Sequence, residues 1–525
     1  MISAMSRSLH AHTATELKAL LDGGDVTSRE VVEDLHRRAD DVEPRVNGFA
    51  HEFRDRALKE ADQRDADRKE GKPLGALHGI PISVKESVDT VGVATTCGMK
   101  AKRDNRPVHN ALVVRLALAE GAILLGKTNV PQTLLAPFES TNELFGTTNN
   151  PWNLGRAPGG SSGGEGAVLA SGTSVLGIGT DVGGSIRSPA ALCGVYGLKP
   201  TVGRWSNRGS QGSIPGQEFI RPQIGPMGRS TDDLTLFMKA LDRPEHYASD
   251  RGIPPVPFRD PNTIEPTTLT VGYYDDDGYL TPAASVQRAV EEAATLLADA
   301  GVRIKRVRPP NVHENLQLFF SAMSADGLHT LLQGLDGEPF AQPLRTVAMA
   351  NRSPRHVRAG LSKVARMMGE TRTADMLDAL GEKRTHEMWA LADRRNQIRH
   401  EEMAFWDRDG VDVLITPALA TPAVPHGMSH DFTVGFANLS RYNLLDQPGG
   451  IVPITRVRVD ETRRASPRDR VEKRAAEIES QSVGLPVSIQ VVGRPWEEPE
   501  VLAIMRLLEG LARRRDGYPH VPVAP

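Results

Sequence analysis

In Thr27-Ser28-Arg29-Glu30, followed by Val31, Val32 and Leu35, apolar positions recur at helical spacing behind a threonine and a glutamate able to cap each other's amides. Residues 1–74 are polar apart from such stripes, and we expect them to form an N-terminal helical segment packed on the core. From Gly75 to Thr201 the texture changes to short apolar runs broken by glycine. Ile80–Val84, Ala122–Leu125 and Val175–Ile178 read as buried strands, and Ala111–Glu120 as a helix. Proline-rich residues 250–267 read as a linker into a βαβ unit made of Leu269–Tyr273, Ala283–Ala300 and Val302–Val307. Residues 311–406 are almost wholly helical in pattern and read as an insertion or cap, with Arg355, Arg358, Lys363 and Arg366 on a solvated helix face. Strand texture returns at Asp412–Thr416 and Gly484–Val492 before a last helix near Glu498–Arg513, and the charged stretch Val459–Glu479 reads as an exposed loop or helix. Strands on both sides of the helical stretch imply one α/β domain, 75–525, with a mixed sheet.

Composition narrows the class. The chain has 525 residues, 39% hydrophobic and 25% charged, which excludes global disorder. Its 63 Lys and Arg against 66 Asp and Glu leave a formal net charge of -3, so no global field attracts nucleic acid or an anionic membrane. Cys97 and Cys193 are the only cysteines, which excludes a disulfide framework or a Cys-rich zinc site and suits the cytoplasm. No His, Cys or carboxylate cluster has metal-ligand spacing, and neither metal nor cofactor is expected. No run of about 18 apolar residues occurs, so no transmembrane segment is expected. Met1–His10 lacks the apolar stretch of an export leader.

Two motif matches fail on their surroundings. Gly121–Thr128 fits the phosphate-loop pattern G-x-x-x-x-G-K-[ST], but its intervening residues are themselves a strand candidate. Gly159–Gly163 fits the G-x-S-x-G elbow around Ser161, yet Asn150–Pro158 upstream is turn-forming and cannot be the required strand. A longer block stands out instead. Between Gly159 and Gly203 lie 13 of the 49 glycines, and two glycine-flanked serines bracket a helix and a strand. Val182-Gly183-Gly184-Ser185 has the makeup of a loop whose amides turn one way, as an oxyanion hole requires; the alternative is ordinary turns with serines as helix caps. No histidine stands out as a base for either serine. Lys85 ends an apolar strand, where desolvation would lower its pKa towards neutrality; the alternative is an exposed lysine paired with Glu86.

These segments together resemble the amidase signature family. Gly79–Lys85 resembles its lysine strand and Gly159–Pro200 its signature, with further likeness in Gly121–Asn129, Gly225–Ser230, Asp412–Pro417 and Gly484–Pro495. The resemblance implies a mixed central sheet covered by helices on both faces. It also implies a Ser-Ser-Lys triad, with Lys85 as base, Ser161 as bridge and Ser185, 24 positions on, as nucleophile forming an acyl-enzyme. Further implications are a cis peptide before Ser161, oxyanion donors from the amides of Val182, Gly183, Gly184 and Ser185, and support from Ser162, Asp181 and Arg187. The activity implied is hydrolysis of a small-molecule linear carboxamide, with an apolar acyl or aryl group favoured, and a homodimer is the family-based expectation. Glu86 stands where many members have aspartate. Glu165 and Pro151-Trp152 resemble the fatty-acid amide hydrolase branch more than the glutamyl-tRNA amidotransferase branch. Two other readings stay open: an amidotransferase subunit delivering ammonia to a partner, and a non-catalytic binding protein on the same scaffold.

Overall fold

The computed structural model describes residues 8–525; the first seven residues of the stretch searched for an export leader lie outside it. The helices α1 (Ala14–Gly23) and α2 (Ser28–Val46) each start behind a threonine whose hydroxyl accepts the amide of a glutamate three positions on, while that glutamate accepts the threonine's amide. Each such box contributes about 1 kcal/mol. In α2 it fixes the helix so that Val31, Val32 and Leu35 are buried. The strand β1 (Phe49–Glu52) and helix α3 (Arg54–Lys69) complete this part of the chain.

The central elements alternate. β2 (Pro81–Lys85), α4 (Leu112–Ala119) and β3 (Ile123–Thr128) precede a small hairpin of β4 (Thr141–Asn142) and β5 (Gly146–Thr147). Then come α5 (Gly163–Ser171), β6 (Leu176–Asp181), α6 (Arg187–Cys193), β7 (Tyr196–Lys199), β8 (Gln223–Gly228), α7 (Thr231–Leu241) and α8 (Pro244–Ser249). The βαβ unit is β9 (Thr270–Tyr273), α9 (Ala284–Asp299) and β10 (Arg303–Arg306). Six helices follow: α10 (Val312–Met323), α11 (His329–Leu335), α12 (Gln342–Arg352), α13 (Arg355–Met367), α14 (Thr371–Ala379) and α15 (Thr385–Asp409). The chain closes with β11 (Val413–Pro417), α16 (Ala437–Leu444), β12 (Gly449–Arg456), α17 (Arg470–Glu479), β13 (Pro486–Gly493) and α18 (Glu498–Ala512).

Eleven strands form one mixed sheet in the order β1-β3-β2-β6-β8-β7-β12-β13-β11-β9-β10, covered by helices on both faces. One hydrophobic core runs from Ala14 to Tyr518. A smaller cluster packs Leu328, Leu331 and Leu335 of the helical stretch on Cys97, Met99 and Val130, and so anchors α11 beside the loops that follow β2 and β3. The pairing that matters for chemistry is that of β2 with β6. It is parallel, with Ser83 opposite Gly177 and Val84 opposite Ile178, so both strands deliver their last residues, Lys85 and Asp181, to the same edge of the sheet.

Three sequence expectations change. Val459–Glu479 is not simply exposed, because α17 buries Val471, Ala475 and Ile478. Arg358 does not join the solvated face of α13; it is 8% exposed, whereas Arg355 and Arg366 pair at the surface with Glu387 and Asp378. The patterning also passes over β1, β7, β8 and β12. β12 is a central strand, but Pro453 lies at a register shift in its pairing with β13, the kind of bulge where a strand tolerates proline.

Candidate active site

The apolar run before Lys85 carries β2 through the interior and leaves the lysine side chain fully buried. Its Nζ lies 2.7 Å from Ser161 Oγ, 2.8 Å from Thr180 Oγ1 and 3.4 Å from the Thr180 carbonyl oxygen. Glu86 is not its partner; that carboxylate accepts the amides of Thr96 and Cys97. Burial lowers the Lys85 pKa from 10.5 to about 7, against the pull of nearby charges, of which Asp181 is the largest. Burial therefore favours the neutral amine of Lys85, which is held against a serine hydroxyl.

Ser161 sits in the loop between Pro158 and α5, and the Gly160–Ser161 peptide is cis. A Cβ on Gly160 would stand 2.1 Å from the Ala136 carbonyl oxygen, so only glycine lets this loop pack against residues 136–139. Ser162 ties the two serine loops together. Its amide donates to the Ser185 carbonyl at 3.1 Å, and its hydroxyl lies 3.4 Å from both the amide and the carbonyl of Thr180.

Asp181, at the end of β6, organises the turn that carries Ser185. It accepts the Gly184 amide at 2.7 Å, the Ile186 amide at 3.1 Å, and Arg187 Nε and Nη2 at 3.0 Å each. Asn443 donates to the same carboxylate at 2.9 Å, and Arg187 continues to Gln490 Oε1 and Asn443 Oδ1 at 2.6 Å each. Burial alone would raise the Asp181 pKa; Arg187, Lys199 and Asn443 together outweigh it and hold the carboxyl below the usual range. The turn also needs Gly184, whose φ is 116° and whose Cβ would fall 2.7 Å from Leu439 Cδ1.

This wiring corrects one expectation. Four amides are expected as oxyanion donors, but the Gly184 amide is committed to Asp181. The amides of Val182, Gly183 and Ser185 have no acceptor among the described residues. Lys85 and Ser161 are brought into direct contact. Ser161 and Ser185 line one cavity with Thr180, Gln211 and Gln217, but among the described residues no hydrogen bond joins their hydroxyls.

Ser185 also lines a second, larger cavity of about 1010 Å³, counting its open mouth. Phe138, Phe319, Phe320, Leu331, Phe340 and Phe436 are among its walls, and no charged side chain lines it. Residues from α10, α11 and α12 supply much of this lining. Ser185 thus stands where an apolar chamber meets a smaller, more polar one.

The motif rejections hold structurally. Lys127 is buried within β3 and donates to the Ala94 carbonyl at 3.0 Å and to Thr95 Oγ1 at 2.9 Å, so Gly121–Thr128 forms no phosphate loop. No strand precedes Ser161 between Asn150 and Gly160. Sequence reasoning passed over Thr180, Asn443 and Gln490. Thr180 carries a signal, its place beside Asp181 inside the glycine-rich block; the other two are distant in sequence and carry none.

A family model described as Amidase matches residues 30–502. This chain belongs to the amidase family. The amidase is 34% identical to fatty-acid amide hydrolase 1 of Sus scrofa over 443 residues, 83% of its own length and 76% of that protein's. It is 31% identical to the acetamidase of Aspergillus oryzae, over 94% of its length and 88% of that protein's. A solved structure of fatty acid amide hydrolase superposes on it with a TM-score of 0.84 at 30% identity, covering 96% of the amidase and 85% of that chain. Like its relatives, the enzyme hydrolyses carbon–nitrogen bonds of amides.

Proposed function

We propose that this amidase cleaves linear amides of apolar carboxylic acids through an acyl-enzyme on Ser185, with Ser161 as proton bridge and Lys85 as base. The observation that carries the reading is the placement of Ser185 on the wall of an apolar cavity, beside the smaller cavity it shares with Ser161. The 2.7 Å contact of Lys85 Nζ with Ser161 Oγ supports the proton route. The names of the fatty-acid amide hydrolase relatives agree with an apolar acyl group.

The reaction runs as follows. A neutral Lys85 amine has two N–H bonds and one lone pair. The N–H bonds match the two oxygens of Thr180, and the lone pair accepts from Ser161. As Lys85 takes the Ser161 proton, Ser161 takes that of Ser185, and Ser185 Oγ attacks the substrate carbonyl. The Ser161–Ser185 hydrogen bond closes when substrate fills the site, since catalytic contacts often tighten only in the complex. The amides of Val182, Gly183 and Ser185 hold the tetrahedral oxyanion, each worth about 3 kcal/mol of barrier. Asp181 contributes by keeping the turn in shape through Gly184 and Arg187. The proton then returns from Lys85 through Ser161 to the leaving nitrogen, the amine departs, and water enters by the same relay to release the carboxylate.

The test is a panel of primary and secondary amides of rising acyl length, with Ser185→Ala as control. We expect kcat/KM to rise with acyl length and Ser185→Ala to lose turnover and labelling by a fluorophosphonate. Turnover retained by Ser185→Ala would end the nucleophile assignment, and a flat or falling length dependence would end the acyl assignment.

A further inference from the structure

Glu165, the third residue of α5, is fully buried and lines neither cavity. Its carboxyl rests on the face of the sheet that carries Lys85. Oε2 lies 2.6 Å from Ser83 Oγ, and Oε1 accepts the Thr128 hydroxyl at 2.9 Å. Ser83 stands two positions before Lys85 on the same face of β2, and Thr128 is the residue paired with Lys85 across β2 and β3. Gly177, opposite Ser83 on β6, makes room for the carboxyl, since a Cβ there would collide with Oε2. Glu165 thus bonds to both neighbours of the base but not to the base itself.

The setting of this carboxyl is that of a neutral acid. Asp181, also fully buried, holds its charge with the Arg187 guanidinium, the amides of Gly184 and Ile186, and Asn443. Glu165 has two hydroxyls, and among the described residues neither a cation nor a backbone amide donates to it. A carboxylate there would be an interior charge with no cation paired to it, a cost that the first turn of a nine-residue helix offsets only in part. A protonated acid closes every bond instead. Glu165 Oε2–H donates to Ser83 Oγ, Ser83 to Ser174 Oγ at 2.9 Å, and Ser174 to the Leu176 carbonyl at 3.2 Å, while Thr128 donates to the bare Oε1. The charged groups of the surrounding elements are turned elsewhere. Lys85 faces Ser161 and Thr180, Asp181 faces Arg187, Glu86 faces the amides of Thr96 and Cys97, and Lys127 faces the Ala94 carbonyl. On α2, Glu43 accepts the Gly48 amide and Arg38 donates to the Ser171 carbonyl. The Cys97 thiol, pushed up to about 12 by burial, is uncharged. Burial pushes the Glu165 pKa up to about 8 against the pull of Ser83, Thr128 and Lys85.

We propose that Glu165 is a positioning residue of the proton relay and works as an uncharged carboxylic acid. Through Ser83 and Thr128 it ties β2 and β3 to α5 beside Lys85. By staying protonated it spares Lys85 a neighbouring carboxylate, which would hold the proton on the amine and leave no lone pair for Ser161. The inference rests on the reading of Lys85 as the base.

The experiment compares the full-length wild type with Glu165→Gln, whose amide group replaces the acid's donor and acceptor, and with Glu165→Met, which fills the space with neither. The infrared spectrum at pH 7 should lose one protonated-carboxyl C=O band in Glu165→Gln; a spectrum that loses none overturns the proposal. The acid limb of kcat/KM should stay in place in Glu165→Gln, because no charge has been removed. A limb moved down by about one pH unit would mean that an anion had been removed, and would overturn it as well. Glu165→Met should lower kcat about tenfold with KM held, and Glu165→Gln should recover most of that loss. A wild-type kcat in Glu165→Met, or a Glu165→Gln as impaired as Glu165→Met, ends the positioning role; if Glu165→Met does not fold, the infrared and pH measurements on Glu165→Gln decide alone. The infrared measurement reads Glu165 itself, so a wild-type pH profile flat from 5 to 8 would end the base reading of Lys85 while the charge of Glu165 still stood measured.

Discussion

In the proposed mechanism Lys85 is the base and has to be neutral to accept a proton, which burial favours by lowering its pKa to about 7. Below that pH the ammonium has no lone pair, so kcat/KM should fall about tenfold per pH unit on the acid side, with the limb centred near 7. A pH profile flat from 5 to 8 would contradict a lysine base. Thr180 tunes the limb. Its hydroxyl accepts from Nζ and thereby favours the charged form, so Thr180→Val should move the limb to lower pH. The same substitution should cut kcat about tenfold at high pH by freeing the amine to turn, a loss of about 1.4 kcal/mol. A lowered kcat with the limb unmoved would mean that Thr180 only packs.

At the scale of elements, the turn between β6 and α6 rests on a buried ion pair rather than on a cap. Asp181→Asn removes one partner and leaves Arg187 buried and charged, which should cost about 3–5 kcal/mol of unfolding free energy in a denaturant titration. A change below about 1 kcal/mol would show that Asn443 and Gln490 suffice to hold Arg187. Such wiring explains which elements could be read in advance. β2, β3, β6, β11 and β13 were legible because each contains or abuts a short buried apolar stretch, such as Ile123–Leu125 or Val413–Ile415. β12 was not, since Gly449, Gly450 and Pro453 interrupt its pattern while its neighbours on both sides supply the pairing. The two serines stood out in a local glycine-rich block and Lys85 at the end of an apolar strand, while the roles proposed for them came from the family resemblance. The commitment of the Gly184 amide was not, because it depends on how Asp181 divides its oxygens between a turn, Arg187 and a residue of α16.

At the scale of the molecule, the proposed reacting groups and much of the lining of the apolar cavity come from different parts of the chain, although Val182, Gly183 and Ser185 line that cavity too. The residues assigned to bond-breaking lie between Lys85 and Arg187, on and beside a rigid sheet. Much of the chamber lining lies between Phe319 and Ala348, on helices docked to that sheet. Val347→Trp, on the α12 wall, should therefore lower kcat/KM for long-chain amides at least tenfold relative to short ones and leave the melting temperature nearly unchanged. An equal loss at all lengths would show that the chamber does not hold the acyl group.

That much of the cavity wall comes from residues 319–348 has a consequence for descent as well as for design. On the proposed reading, substitutions in that helical wall alter which acids are accepted without touching the proposed proton relay, so substrate range is free to drift there while the chemistry is inherited intact. Exchanging residues 312–348 between relatives should carry the acyl preference of the donor into the recipient and leave its pH dependence behind.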